Sequence, residues 1–368
     1  MTGQLTILHH GWSWFKRKFM SIVNTLQFLG WTAQFVILVG LAILATCVIS
    51  FQIPYMHDNE TVVHWIRALL SFIVFEVYLQ WLCLKLVTNT YRPFKHGAIP
   101  EGVSLGQKLG VSESDHEPQH VSNGISNGKS NVSDVNENGD LIRVRNTAND
   151  PAKKNVMYVA TEFPMDSSDE IKRTAFPYFS WAPCIMCNRP RPPRCHHCSV
   201  CNVCVLKRDH HCFVTGVCVG YRNLRYFVTF LFWAVVATSF GLYYWIPYYY
   251  YETLKYTSIV DLFFPIAILR AALGYIRWQH PALIALLWLL TLFFIWSLGF
   301  FVLTIKNIKV GKTTKEVDFN IDLKDIRTLS EKIESVFGKY WILNFLVPMH
   351  FVFEPKDDPV KWPFIKTY

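Results

Sequence analysis

Apolar residues in this chain gather into long unbroken runs, unlike the alternating or one-sided patterns of a water-soluble fold. Four runs, at 28–51, 63–87, 228–250 and 282–305, are long enough to cross a bilayer as helices, which takes roughly 20 residues. The second run holds Glu76 inside it and Arg67 and Lys85 towards its ends, where long basic side chains reach back to the interface. A fifth stretch, 259–275, is short and broken by Asp261, Pro265 and Arg270; it reads as an interfacial or re-entrant segment in the loop between the third and fourth spans. Near the C-terminus, Ile326, Leu329, Ile333, Val336 and Phe337 recur at helical spacing, which predicts an amphipathic helix over 325–338. Residues 111–155 are rich in Ser, Asn, Gly, Asp and Glu. They cannot bury enough apolar surface to offset chain entropy, and disorder is expected there.

Composition agrees with lipid contact: charged residues make up 17% of the chain, against roughly 25% in soluble domains. The formal charge of +9 suits nucleic acid, a membrane surface or an anionic substrate, and its placement decides among them. Lys16, Arg17 and Lys18 precede the first run, and Lys306, Lys309, Lys312 and Lys315 follow the fourth. The loop 52–62 has Asp58 and Glu60 but no Lys or Arg, whereas 88–227 is basic. The positive-inside rule then puts segment 1–27, the loop 88–180 with the cysteine-rich part 181–227, and the tail 306–368 in the cytosol. Loops 52–62 and 251–281 are lumenal on the same reading. Basic residues lie against the spans and no recognition helix is visible, which disfavours nucleic acid. Trp12, Trp14 and Phe15 beside the basic triplet suggest an amphipathic entry helix. The first run is too long for a signal-peptide core, and no small-residue cleavage site follows it.

Eight of the ten cysteines fall between Cys184 and Cys218, interleaved with histidine and arginine. This clustering points to metal ligation in a reducing compartment, not to disulfides. Zinc takes four tetrahedral sulfur or nitrogen ligands, commonly as Cys-x-x-Cys pairs. Cys184/Cys187 and Cys198/Cys201 are two such pairs. Cys204, Cys218 and two histidines among His196, His197, His210 and His211 complete two Cys₃His sites, leaving Cys195 and Cys212 unassigned. Closed sites of this kind are scaffolding and do not activate water. They leave Asp209-His210-His211-Cys212 unexplained. With one histidine free, the tetrad has the parts of an activated nucleophile: an imidazole to take the thiol proton and a carboxylate to orient it. A thiol of pKa near 8.5 needs that help at neutral pH. A thiolate at a membrane face suits thioester exchange, which is nearly isoenergetic and needs no nucleotide.

This window resembles the cysteine-rich domain of the DHHC protein S-acyltransferases, or palmitoyltransferases. The likeness is carried by both Cys-x-x-Cys pairs, His197-Cys198, the Asp-His-His-Cys tetrad, Cys218, Asn223 and Phe227. Thr313-Thr314-Lys315-Glu316 fits the family's TTxE motif, and Val336-Phe337-Gly338 and Tyr340-Trp341 are similar to its C-terminal segment. The resemblance implies a membrane all-α fold, a four-transmembrane-helix bundle with a cytosolic two-zinc cysteine-rich domain that carries short β-hairpins. It implies one structural zinc on Cys184, Cys187, His197 and Cys204, and a second on Cys198, Cys201, His211 and Cys218. Cys212 becomes the acylated nucleophile, His210 its base and Asp209 the orienting carboxylate, with Thr314 and Asn223 in support. The implied reaction is ping-pong transfer of a long-chain acyl group from palmitoyl-CoA, or a similar acyl-CoA, to cysteines of substrate proteins, in Golgi or endoplasmic reticulum membranes.

The chain departs from the family in places. Phe213-Val214-Thr215-Gly216-Val217 replaces the usual Pro-Trp-x-Asn-Asn, Cys195 stands where Ser is usual, and Lys332 stands near a customary Asn. These changes support a rival reading, a weak or inactive membrane scaffold of the same fold. A RING-type ligase fits less well, since its ligand pairs are spread over longer gaps. Ala237, about 15 Å into the third span, is placed to leave room for a long acyl chain. Arg191 and His196, with Arg189 and Arg194 nearby, are placed to hold CoA phosphates, against the alternative of a solvated basic face near anionic lipid. Glu76 is either functional or a plain interhelical hydrogen bond.

Overall fold

The computed structural model describes residue 34 and residues 39–92, 155–160, 173–348, 355 and 357–367. The entry helix, the first span before residue 39 (Gln34 apart) and the insert over 111–154 lie outside these residues. Among the described residues four helical runs have the length and apolarity to cross a membrane. They are Val39–Met56 (α1), Glu60–Leu86 (α2), Leu224–Thr253 (α3) and, after the short helix Phe264–Ala272 (α4), Gln279–Val310 (α5). At 1.5 Å per residue the 27 residues of α2 reach about 40 Å, more than the hydrocarbon thickness of roughly 30 Å. The nine residues of α4 reach only about 14 Å, so the 259–275 stretch does not span. Its Asp261 is buried and paired with Arg270.

α3 is the axis of the bundle and packs against both α2 and α5. Half of its apolar window is buried, against 11% for α5. α5 turns Leu292, Ile295, Val302 and Leu303 outward, an arrangement stable only against lipid. α1 passes through a π-helical turn, Val48–Gln52, just ahead of Pro54; the ring has no N–H and crowds the carbonyl four residues back, so the ladder widens. Asn59 caps α2 by accepting from the Thr61 and Val62 amides, and Gly311, at φ +80°, closes α5. Inside the bundle Gln80 Nε2 donates to Glu76 at 3.2 Å and Thr229 Oγ1 donates to Gln80 Oε1 at 2.9 Å. Glu76 thus belongs to a polar chain joining α2 to α3.

Beyond the helix ends the chain forms small antiparallel pairs. Val156–Ala160 (β1) pairs with Arg173–Pro177 (β2), and Ala182–Cys184 (β3) with Arg189–Arg191 (β4). His196–Cys198 (β5) pairs with Val203–Val205 (β6), and His210–Cys212 (β7) with Val217–Val219 (β8). In the tail, Thr314–Asp318 (α6) precedes Leu323–Asp325 (β9), then Leu329–Phe337 (α7), and Ile365–Thr367 (β10) returns to pair with β9. The sequence reading did not anticipate β1 and β2. Met157 and Val159 alternate inward onto Phe176 and Ala182, a period-two pattern that holds a strand. Asn155, at the end of the polar insert, is fixed by reciprocal side-chain bonds to the backbone of Asp322. α7 begins later than the predicted 325–338 helix because Thr328 and Glu331 form a capping box, leaving Ile326 outside it.

Two asparagines fasten the hairpins to the bundle. Asn89, just past α2, donates to the Cys218 carbonyl and accepts from the Arg222 amide. Asn223, just before α3, donates to the Cys218 and Leu84 carbonyls and accepts from Gly220 N–H. The β7–β8 hairpin is therefore pinned where α2 ends and α3 begins.

Candidate active site and metal centres

The hairpins share one turn. Cys184-x-x-Cys187 is followed by Asn188 at φ +48°, and Cys198-x-x-Cys201 by Asn202 at φ +52°. Asn tolerates this left-handed conformation better than other L-residues. The turn brings two sulfurs together and aims the Cys201 amide at Cys198 Sγ, 3.5 Å away. Cys212-x-x-Thr215 is followed by Gly216 at φ +66°, which repeats the turn with threonine where the second sulfur would be. The β7–β8 hairpin is thus built like the metal-binding turns but lacks a second ligand. That explains why Cys212 stays outside the metal sites. It also gives the departures after the tetrad a structural reason: Gly216 takes the left-handed corner, Thr215 is fully buried and Phe213 is exposed.

Two groups of four ligand atoms converge: Cys184, Cys187, His197 and Cys204, then Cys198, Cys201, His211 and Cys218. Cys187 Sγ lies 3.3 Å from His197 Nδ1 and 3.6 Å from Cys204 Sγ. In the second group Cys201 Sγ lies 3.7 Å from Cys218 Sγ, and His211 Nδ1 lies 3.4 Å from Cys201 Sγ and 3.7 Å from Cys198 Sγ. Tetrahedral zinc with 2.3 Å bonds to sulfur and about 2.05 Å to nitrogen separates sulfurs by about 3.8 Å and sulfur from nitrogen by about 3.5 Å. Both donor sets fit that ion. Cys195 and Cys212 belong to neither set.

Asp209, His210 and Cys212 come together at the mouth of the bundle. Asp209 is buried and holds His210 Nδ1 at 2.8 Å through Oδ2. The tail closes on it from 105 residues away: the Thr314 amide donates to Oδ1 at 2.7 Å, and Thr314 Oγ1 donates to Oδ2 at 2.8 Å. Burial alone would raise the Asp209 carboxyl. The bonds from His210 and Thr314 outweigh it and hold the pKa below the usual range. The His210 ring lies edge-on to Phe227, 5.0 Å between centroids. Its Nε2 is buried with no hydrogen-bond partner among the described residues, and Cys212 is close enough to interact with the ring. Burial disfavours the imidazolium, but Asp209 and then Cys212 raise His210 to about 9. Burial likewise pushes the Cys212 thiol up, and His210, followed by the Thr215 hydroxyl and amide, brings it below its ordinary value. The arrangement favours a thiolate–imidazolium pair.

The tail turn is locked separately. Thr313 and Glu316 form a capping box on α6. Buried Arg194 grips Glu316 through Nε at 2.7 Å and Nη2 at 2.6 Å, and Tyr178 Oη donates to the same carboxylate at 3.1 Å. This ion pair was missed in the sequence, where Arg194 reads as one of several surface cations; its only cue is Glu316 following Thr313 at capping-box spacing. Because Thr314 Oγ1 supplies one of the bonds fixing Asp209, Thr314→Val should slow alkylation of Cys212 by iodoacetamide about tenfold, the worth of a hydrogen bond to a charged group, with zinc content unchanged. A rate within twofold of wild type would show that the Thr314 amide suffices.

The CoA-phosphate expectation needs correction. Arg191 and His196 are each only 1% exposed. His196 Nε2 faces the Tyr178 hydroxyl at 3.3 Å. Burial, reinforced by Lys315, Arg191, Arg208 and Arg194, keeps its ring neutral. The β-hairpins and the tail cover these side chains, so they do not present charge to a phosphate. Ala237 lines an apolar cavity of about 500 Å³ including its opening, with Leu41, Val77, Thr238, Gly241 and Leu290.

Fold and site together define a multi-pass membrane protein in which a zinc-type module holds an unligated thiol, Cys212, beside an imidazole at the end of a helix bundle. The family model described as DHHC palmitoyltransferase matches residues 178–319, from the buried tyrosine behind Glu316 to the end of the tail turn. A search of curated proteins finds none similar to the chain.

Proposed function

We propose that the protein is a protein-cysteine S-palmitoyltransferase that works by a ping-pong route through Cys212. The observation carrying this reading is a cysteine outside both ligand sets, in contact with an imidazole whose other nitrogen is held by a buried carboxylate. In the first half-reaction the Cys212 thiolate attacks the carbonyl carbon of a long-chain acyl-CoA. The carbon–sulfur bond to CoA breaks, and the leaving CoA sulfur takes the proton that His210 holds. In the second, a substrate cysteine gives its proton to His210 and its sulfur attacks the Cys212 thioester, restoring the thiolate–imidazolium pair. Asp209 keeps the ring in place throughout and neutralises its charge. Zinc, bound at the two Cys₃His sites, supplies rigidity.

The orientation that suits this chemistry puts both termini and the zinc module in the cytosol, where thiols stay reduced and acyl-CoA is present, in a Golgi or endoplasmic reticulum membrane. The acyl chain enters the bundle, where each buried CH₂ gains about 0.8 kcal/mol, and reaches towards the cavity at Ala237. Ala237→Phe fills that end, so the chain-length profile should shift from sixteen carbons to shorter donors; an unchanged profile would separate the cavity from the acyl path. The test of the main reading is mass spectrometry of purified protein after incubation with palmitoyl-CoA. A hydroxylamine-labile adduct on the Cys212 peptide is expected. An adduct only on cysteines other than Cys212, or none, would refute it.

A further inference from the structure

Two cavities adjoin at the end of α5 nearest the zinc module. One, about 370 Å³ including its mouth, is basic: Lys207, Lys312, Arg327 and Lys332 line it together with Asp209 and Asp325. Its carboxylates are already engaged, Asp209 by Thr314 and His210 and Asp325 by Arg327 at 2.6 Å. Burial, with Arg194 and Arg327 close by, pushes the Lys207 amine down to about 8, as expected where cations outnumber their counter-charges. The other cavity, about 390 Å³, is apolar and lies between α5 and α7, lined by Ile305, Leu329, Ile333, Trp341 and Phe345. Ile308 lines both. Lys332, in the basic cavity, donates to the carbonyl of Lys309, which lines the apolar one.

The apolar cavity lies at membrane level. Trp233, about 14 Å along α3 from its start, donates to the Phe345 carbonyl at 2.6 Å, so the tail dips beside the spans. There Trp341, Ile342, Leu343, Leu346 and Val347 are each at least 40% exposed. A contiguous exposed apolar run at that depth is stable when it meets lipid.

A molecule that satisfies both cavities carries a compact anion joined to a long hydrocarbon chain. We propose that this is a binding site for one phosphatidic-acid-class lipid, with its phosphate between Lys312 and Lys332 and one acyl chain in the groove between α5 and α7. The basic cavity borders the thiol centre at Asp209 but is lined by neither His210 nor Cys212, and lipid binding is measured without turnover, so its failure is distinguishable from failure of the transfer reaction.

Native mass spectrometry of the full chain released from detergent tests it, with dioleoyl-phosphatidic acid, dioleoyl-phosphatidylcholine, inorganic phosphate and CoA as probes. Phosphatidic acid should be retained at least about tenfold over phosphatidylcholine. The double variant Lys312→Gln/Lys332→Gln should lose that preference, since each cation near the surface contributes several-fold to anionic-lipid binding. Lys332→Arg should keep it. If the double change costs zinc, Lys332→Asn serves instead, because the Lys332 amine bonds to the exposed Lys309 carbonyl. Equal retention of the two lipids, or undiminished phosphatidic acid binding in the glutamine variants, would overturn the proposal. Displacement of the lipid by inorganic phosphate or CoA at equal concentration would also overturn it, by showing a simple anion site.

Discussion

Changing Cys212 to serine should abolish hydroxylamine-sensitive self-acylation, by a factor of at least about 10³, while two zinc ions per chain are retained. Cys212 is in neither ligand set, so the metals lose nothing, and serine is close to cysteine in size. The chemistry changes. The pocket lowers a thiol pKa by contact with His210 and Thr215 against the cost of burial; the same contacts cannot bring an alcohol into the range where it is ionised. The remaining cysteines outside the ligand sets are poor substitutes. Cys195 is 2% exposed, within a cluster of Tyr91, Tyr178 and Trp181. Cys47 in α1 and Cys83 in α2 have no hydrogen bond to an imidazole among the described residues. Radiolabelled palmitoyl-CoA, with and without hydroxylamine, measures the loss, and elemental analysis measures the zinc. Label retained on the serine variant at the wild-type level would remove the nucleophile from the proposed mechanism.

How much of this was legible in the sequence depends on how far each interaction reaches along the chain. The metal ligands were readable because zinc demands sulfur pairs three residues apart, and that spacing survives folding unchanged. The four apolar helices were readable because lipid imposes length on them. The Asp209–Thr314 contact crosses 105 residues and no local rule predicts it; it was reached only through the family resemblance. Arg191, Arg194 and His196 misled because a run of Arg, Pro and His reads as solvated surface. Whether such residues are covered depends on partners elsewhere: Tyr178 before them and Glu316 after the last span. The β1 strand carried its own signal, Met157 and Val159 alternating with Tyr158. That signal was obscured by the polar insert on one side. Thr215 and Gly216, noted as departures from the family, become intelligible only when the three hairpin turns are compared in space.

Removing a single ligand from one metal site should empty both. Neighbouring residues on a strand point to opposite faces, and β5 offers His197 to the first group and Cys198 to the second. The turn and strand that follow do the same with Cys201 and Cys204. The hairpin is thus shared between the ions, with strands of only three residues and a small apolar cluster in which Cys198 and Val205 meet Cys218 of β8. Two-stranded hairpins of that size are not stable alone, whereas a structural zinc contributes about 10–16 kcal/mol to folding. Cys187→Ser opens the first site, frees β5 and so loosens the second, whose His211 lies between His210 and Cys212 on β7. Zinc should fall below one ion per chain instead of stopping at one. Self-acylation should fall more than about 100-fold, since a displacement of about 1 Å in a catalytic group already costs that much. Thiol-reactive probes should gain access to cysteines of both groups. One zinc per chain with wild-type acylation would show that the sites fold independently and that the first has no part in holding the nucleophile.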